Sequence, residues 1–215
     1  MSHTFQRQQA LRALLKSCPI VPVITIENDK DAVPLAKALL AGGITTIEIT
    51  LRTQSALTAA TTIIQHVPDA CVGIGTVLTP DDLAQAQDIG ARFALSPGAT
   101  PRLLEAAAKS ALPFMPGIAT PSEIMQAQDH GFDVVKLFPA VPMGGLATLR
   151  ALAAPFPQMR FCPTGGISEN TARDWLNEPS VIALGGSWIA PPALIEKGAW
   201  DEITERARKA CQLRI

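Results

Sequence analysis

Three junctions in the middle of the chain share one pattern. Thr79-Pro80-Asp81-Asp82, Thr100-Pro101-Arg102-Leu103 and Thr120-Pro121-Ser122-Glu123 recur every 20 or 21 residues. A threonine just before a helix can accept a hydrogen bond from an orphan N–H of the first turn. Proline at the next position suits the first helical residue, whose N–H has no partner to lose. The third junction also places Glu123 where a capping box needs it. A spacing of about 20 residues is one strand plus one helix, so the pattern predicts a repeated βα unit.

The flanking sequence keeps the same rhythm. Short β-rich runs fall at Ile20–Ile26, Thr46–Thr50, Cys71–Val77, Phe93–Ser96, Pro113–Ile118, Val134–Phe138, Arg160–Thr164 and Val181–Leu184. Helical stretches lie between them, such as Asp31–Ala41, Ser55–His66, Asp81–Ile89 and Arg102–Lys109. An amphipathic helix over 4–16 precedes the series, with Leu11, Leu14 and Leu15 on one side, and a polar helix at about Trp200–Gln212 closes it. Eight strands alternating with eight helices and no linker predict an α/β fold, a (β/α)8 TIM barrel with an extra N-terminal helix, in one domain over 1–215. An open doubly wound sheet is the alternative. It would more naturally carry G-x-G-x-x-G after its first strand, which this chain lacks.

Composition narrows the function. Of 215 residues, 47% are apolar and 17% charged, which suits a buried core rather than disorder. A net charge of −1 supplies no basic field for nucleic acid or an anionic membrane, so an anionic ligand must be held locally. The apolar run Val181–Ile195 is shorter than a membrane span and is broken by Pro191-Pro192. Cys18, Cys71, Cys162 and Cys211 form no C-x-x-C pair, and residues 1–17 are too polar for a secretory segment. A disulfide-free protein in the cytoplasm is the expectation. His3, His66 and His130 fit surface positions, the last two near helix C-termini, and no His/carboxylate cluster suggests a metal. With no tyrosine, acid–base work falls to a carboxylate, a lysine or water.

The candidate chemistry lies where polar groups break the pattern. In Val134-Val135-Lys136-Leu137-Phe138, strand alternation gives Lys136 two apolar neighbours on its own face. A buried lysine tends to lose its charge, and a neutral amine can attack a carbonyl. A lysine that snorkels to water or pairs structurally with a carboxylate is the competing reading. Glu48 lies between Ile47 and Ile49, so it should point inward beside Thr46 and Thr50. The second and sixth strands lie opposite in an eight-stranded ring, and both are even, so Glu48 and Lys136 can share an inward layer. A buried pair that merely fixes register remains the alternative. Gly165-Gly166 and Gly185-Gly186, the latter before Ser187, follow the seventh and eighth strands. There, exposed backbone N–H groups and helix starts form the phosphate cradle common in such barrels.

At these residues the chain resembles the 2-keto-3-deoxy-6-phosphogluconate aldolases, the class I pyruvate aldolases of the Entner–Doudoroff pathway. The matching segments include Val21-Pro22-Val23-Ile24, Glu48-Ile49-Thr50-Leu51-Arg52, Gly73-Ile74-Gly75-Thr76-Val77 and Ser96-Pro97-Gly98. They continue with Pro116-Gly117-Ile118, Lys136-Leu137-Phe138-Pro139-Ala140, Arg160–Ile167 and Gly185-Gly186-Ser187-Trp188. The resemblance implies that Lys136 forms a Schiff base and Glu48 is the general acid/base. It also implies that Arg52 and Thr76 hold a carboxylate, with Thr164 nearby and Pro97 and Phe138 as pocket walls. Gly165, Gly166, Gly186 and Ser187 would hold the phosphate, the glycine pairs having already marked that place. No metal or organic cofactor is implied, and a homotrimer is. One departure is Val141, where members often carry a carboxylate; it bears on substrate fine-tuning. The galactonate epimer and 4-hydroxy-2-oxoglutarate are alternative substrates, and a non-catalytic phosphosugar-binding barrel is the alternative of a different class.

Overall fold

The computed structural model describes residues 3–17 and 19–213; the expectations placed on Cys18 and on the His3 side chain lie outside the described residues. Helix α1 (His3–Ser17) leads into β1 (Ile20–Ile24), α2 (Ala32–Ala41), β2 (Thr46–Thr50), α3 (Ala56–His66) and β3 (Cys71–Gly75). Next come α4 (Pro80–Asp88), β4 (Phe93–Leu95), α5 (Pro101–Lys109), β5 (Phe114–Met115), β6 (Gly117–Ile118) and α6 (Pro121–Asp129). The chain continues with β7 (Val134–Leu137), α7 (Gly145–Ala153), β8 (Arg160–Phe161), α8 (Glu169–Leu176), β9 (Leu184–Gly186), α9 (Pro192–Glu196) and α10 (Trp200–Cys211).

The helix starts follow the capping chemistry. Thr79, Thr100 and Thr120 accept from the N–H groups of Asp82, Leu103 and Glu123 at 3.1, 3.2 and 3.3 Å. Asp82 also reaches back to the Thr79 N–H at 2.9 Å, so the first junction is a capping box as well as the third. Aspartate does there what glutamate does at Glu123.

All strand pairings between named strands are parallel, and every strand residue is buried except Cys71 and Arg160, which are half-buried. Sheets of this kind need helices on their faces, and the Ala- and Leu-rich sides of α2, α3 and α5 supply them. Instead of the single expected ring of eight, however, there are two sheets, ordered β5-β4-β3-β2-β1-β9 and β6-β7-β8. Two prolines mark the breaks. Pro116 divides the expected fifth strand into β5 and β6, because it lacks the N–H a ladder needs. On the other side β8 stops before Pro163, and the eighth strand meets the seventh only at the single bridges Phe161–Val181 and Thr164–Gly185.

Helix α1 closes part of the first gap. Gln8, only 1% exposed, donates from Nε2 to the Phe114 carbonyl at 2.8 Å. Its Oε1 accepts from the N–H groups of Val134 and Asp133 at 3.0 and 3.2 Å. A side-chain amide thus stands between β5 and β7 where a strand ladder would otherwise run. One helical turn away, Leu11 and Leu15 enter an interior cluster with Val21, Phe93, Leu95, Met115, Val134, Cys162 and Ile182. Arg12 pairs with Asp133 at 2.7 Å and fastens the same helix at the rim. A second, larger cluster packs the helices against the outer face of the strands.

Candidate active site

Register carries Glu48 and Lys136 to one place. Val23 on β1 is level with Glu48 on β2, and Gly117 on β6 is level with Lys136 on β7. The two side chains meet across the interior: Lys136 Nζ donates to Glu48 Oε1 at 3.0 Å and approaches Oε2 at 3.4 Å. Lys136 is 4% exposed and Glu48 2%, so this is a buried ion pair that satisfies both charges. The Phe138 ring stands over the ammonium, with its centroid 5.5 Å from Nζ, within range of cation–π attraction.

Close backbone approach makes room for the carboxylate. A Cβ at Gly75 would lie 2.0 Å from Glu48 Oε1 and 2.7 Å from its Cδ, so Glu48 rests directly on the bare backbone of β3. The next residue, Thr76, has φ +61, a left-handed conformation that a β-branched side chain rarely adopts. Such strain persists where the surroundings impose it, and it often marks a ligand site. Below the pair, burial pushes the Cys162 thiol up to about 12, with the Lys136 ammonium pulling the other way as the lesser influence. Cys162 is therefore an inert thiol, not a competing nucleophile.

A cavity of about 270 Å³ opens beside the pair. Among the expected site residues, Arg52, Phe138, Thr164, Gly165, Gly166 and Ser187 line it. Arg52 is exposed and makes no side-chain hydrogen bond or ion pair with any described residue, which leaves its fork available to an anion. Gly165 and Gly166 have φ values of +101 and +81, conformations that let successive backbone groups face the space. Ser168 then stands at the N-cap of α8, its N–H donating to Thr171 Oγ1 at 3.1 Å.

Several of the expected site residues do not line the cavity, Lys136 and Glu48 among them. Gly186 does not line the cavity; its backbone is covered by the Trp188 ring, and Gly185 takes the place in the wall. No helix starts at Ser187, since α9 begins five residues later at Pro192. Thr76 and Pro97 stand outside the cavity wall too. Thr76 follows the glycine beneath Glu48, and the Pro97 backbone packs on Gly117, the neighbour of Lys136. Val141 is exposed and leans on Gly166, where an added Cβ would meet the Val141 Cβ at 2.7 Å. The sequence reading also missed Val23 and Thr25 as cavity walls. Their signal was available, because Val21, Val23 and Thr25 share the parity that turns a strand residue inward.

The histidines stay on helix ends, with Nδ1 of His66 and His130 within 3.0 and 2.8 Å of the Thr62 and Gln126 carbonyls. Among the described residues no group of three or more His, Cys, Asp or Glu is placed to hold a metal, and no helix is long and apolar enough to cross a membrane.

Comparison with known proteins places this geometry in a family. The family model described as KDPG and KHG aldolase matches residues 11–206. The chain is 48% identical over 200 residues to the KHG/KDPG aldolase of Escherichia coli, covering 93% of this chain and 94% of that one. It is 50% identical over 197 residues to the 2-dehydro-3-deoxy-phosphogluconate aldolase of Dickeya dadantii, covering 92% of each. Its fold matches the KDPG aldolase of Legionella pneumophila, solved with pyruvate captured as a covalent carbinolamine intermediate. That match has a TM-score of 0.92 and 43% identity, over 94% of this chain and 98% of that one. The aldolase of Zymomonas mobilis with 3-phosphoglycerate matches with a TM-score of 0.92 and 40% identity, over 96% and 97%. With a buried lysine–carboxylate pair at the heart of a parallel α/β fold, and relatives matched along almost its whole length, this chain belongs to the KDPG and KHG aldolase family.

Proposed function

We propose that the chain cleaves 2-keto-3-deoxy-6-phosphogluconate reversibly to pyruvate and D-glyceraldehyde 3-phosphate, through a Schiff base on Lys136. The observation that carries this reading is the buried contact of Lys136 Nζ with Glu48 beside a cavity whose wall includes Arg52, Thr164 and Ser187. A proton passing from Nζ to Glu48 turns the ion pair into a neutral amine and a carboxylic acid. The amine adds to the C2 ketone, and Glu48 returns the proton to the developing alkoxide to give a carbinolamine. Loss of water leaves an iminium. Glu48, again a carboxylate, takes the C4 hydroxyl proton; the C3–C4 bond breaks, and its electrons flow to the iminium nitrogen. The aldehyde departs, and the resulting enamine is protonated at C3 and hydrolysed to pyruvate, which restores the free lysine.

The remaining site residues divide by charge. Arg52 offers a planar fork for the pyruvyl carboxylate, and Thr164 and Phe138 shape the space between. Thr76 and Pro97 support the site from outside the cavity wall, next to Gly75 and against Gly117. The Gly165-Gly166 turn, with Gly185 and Ser187, receives the phosphate. The pyruvate and 3-phosphoglycerate held by two relatives match these two ends in chemistry. The two sheets act together as one (β/α)8 barrel in a single domain over 1–215, capped by α1. The assembly is a homotrimer in the cytoplasm. 4-Hydroxy-2-oxoglutarate is a second substrate, in keeping with the E. coli relative's name.

Pyruvate with borohydride should leave a covalent adduct on Lys136. Absence of that adduct, or full activity in Lys136→Met, refutes the assignment. Glu48→Gln should lower kcat by roughly 10²- to 10⁴-fold.

A further inference from the structure

One polar group in the cavity wall has no part in the chemistry above. Thr25 follows β1 and is half-buried. Register pairs Val23 with Glu48 and Ile24 with Ile49, so Thr25 comes level with Thr50, on the face that carries Glu48. The two hydroxyls are 3.1 Å apart.

Proton counting fixes the direction of that bond. Thr50 is fully buried, and its Oγ1 lies 2.9 Å from the Ile24 carbonyl, which can only accept. A hydroxyl has one proton, and Thr50 commits its own to that carbonyl. The Thr25–Thr50 bond therefore needs Thr25 as donor. Its own proton is thereby used, and its oxygen has only lone pairs left for anything in the cavity.

We infer that Thr25 is a specificity-determining residue that accepts a hydrogen bond from a hydroxyl of the substrate's polyol segment, between the carbon joined to Lys136 and the phosphate. An oxygen that can only accept welcomes an O–H and opposes a carboxylate oxygen. Thr25 thus favours the phosphorylated sugar acid over 4-hydroxy-2-oxoglutarate, whose distal end is a carboxylate. The inference rests on the aldolase reading of the same site.

The test compares kcat/KM for the two substrates in the parent, Thr25→Val and Thr25→Ser, with pyruvate trapping by borohydride measured alongside. Thr25→Val keeps the shape and removes the hydroxyl. It should lower kcat/KM for the phosphorylated substrate roughly three- to tenfold. Activity on 4-hydroxy-2-oxoglutarate should hold or rise, the trapping rate should stay unchanged, and Thr25→Ser should restore the parent ratio. A merely structural hydroxyl predicts equal losses on both substrates; that result, or an unchanged ratio, overturns the inference. If Thr25→Val does not fold, Thr50→Val carries the test. It frees the Thr25 proton to face the cavity, so discrimination against the carboxylate substrate should fall, and an unchanged ratio is again fatal. Failure of the parent itself to trap pyruvate or turn over either substrate refutes the aldolase reading instead.

Discussion

The sharpest test of the catalytic geometry is one methyl group on β3. Gly75 does not lie in the left-handed region, so alanine there meets no backbone strain of its own. Its Cβ would, however, stand 2.0 Å from Glu48 Oε1, whereas real Cβ atoms essentially never come closer than 3.0 Å. The carboxylate must retreat by about 1 Å, and its 3.0 Å bond to Lys136 Nζ must lengthen or turn. A misplacement of about 1 Å at a catalytic group costs on the order of 10²-fold in rate. The same overpacking costs about 1–3 kcal/mol of stability. At this chain length that lowers Tm by roughly 2–4 °C per kcal/mol.

The assay follows pyruvate release by Gly75→Ala, with thermal unfolding and borohydride trapping beside it. The kcat should fall about a hundredfold while Lys136 still traps pyruvate, because the nucleophile remains. Shortening the acid should then help: Glu48→Asp in the Gly75→Ala background should cost much less than Glu48→Asp alone. Turnover by Gly75→Ala within about threefold of the parent would show that the carboxylate does not need its place on the β3 backbone.

Three further outcomes follow from the same packing. Gln8→Leu strands the Phe114 carbonyl and the Asp133 and Val134 N–H groups between β5 and β7, and urea unfolding should show a loss of about 2–5 kcal/mol. The Cys162 thiol, raised by burial to about 12, contributes stability that is complete below its unfolded value near 9.0 and is lost as pH rises toward 12. Unfolding free energies from urea titrations between pH 8 and 11 should therefore fall more steeply for the parent than for Cys162→Ala, by up to about 1.4 kcal/mol per pH unit. Lys136→Met and Glu48→Leu should each destabilise by about 3–5 kcal/mol by leaving one buried charge alone, while the double variant should regain most of that loss with no activity.

Much of the site was legible because strand parity is strict. Two residues, Glu48 and Lys136, stand 88 positions apart, yet alternation and opposite placement in a ring were enough to join them. The threonine–proline junctions were equally plain, because capping depends on residues within one turn. The gaps between the sheets were not legible. Pro116 lies inside a run read as one strand, and nothing local says that Gln8, 106 positions away from Phe114, supplies the missing partner. Gly186 misled for a related reason. A glycine pair signals close approach without naming what approaches, and here Trp188 approaches one member while the cavity meets the other.

The energetics of the pair argue for its use. Two charges held in the interior give up several kcal/mol of hydration each, and a well-packed apolar pair of similar size would serve stability as well or better. Register needs no such device here, because β2 is already fixed along five residues to β3 and β7 is held by β6, β8 and Gln8. The pair also sits where the backbone has been cleared for it, at Gly75, and beside Thr76, whose left-handed backbone is strained in its own right. Interior charge, bare backbone and a strained residue converge on one point at the edge of the cavity. Each is a cost to folding, and what the three together secure is direct contact between a lysine and a glutamate side chain beside the cavity.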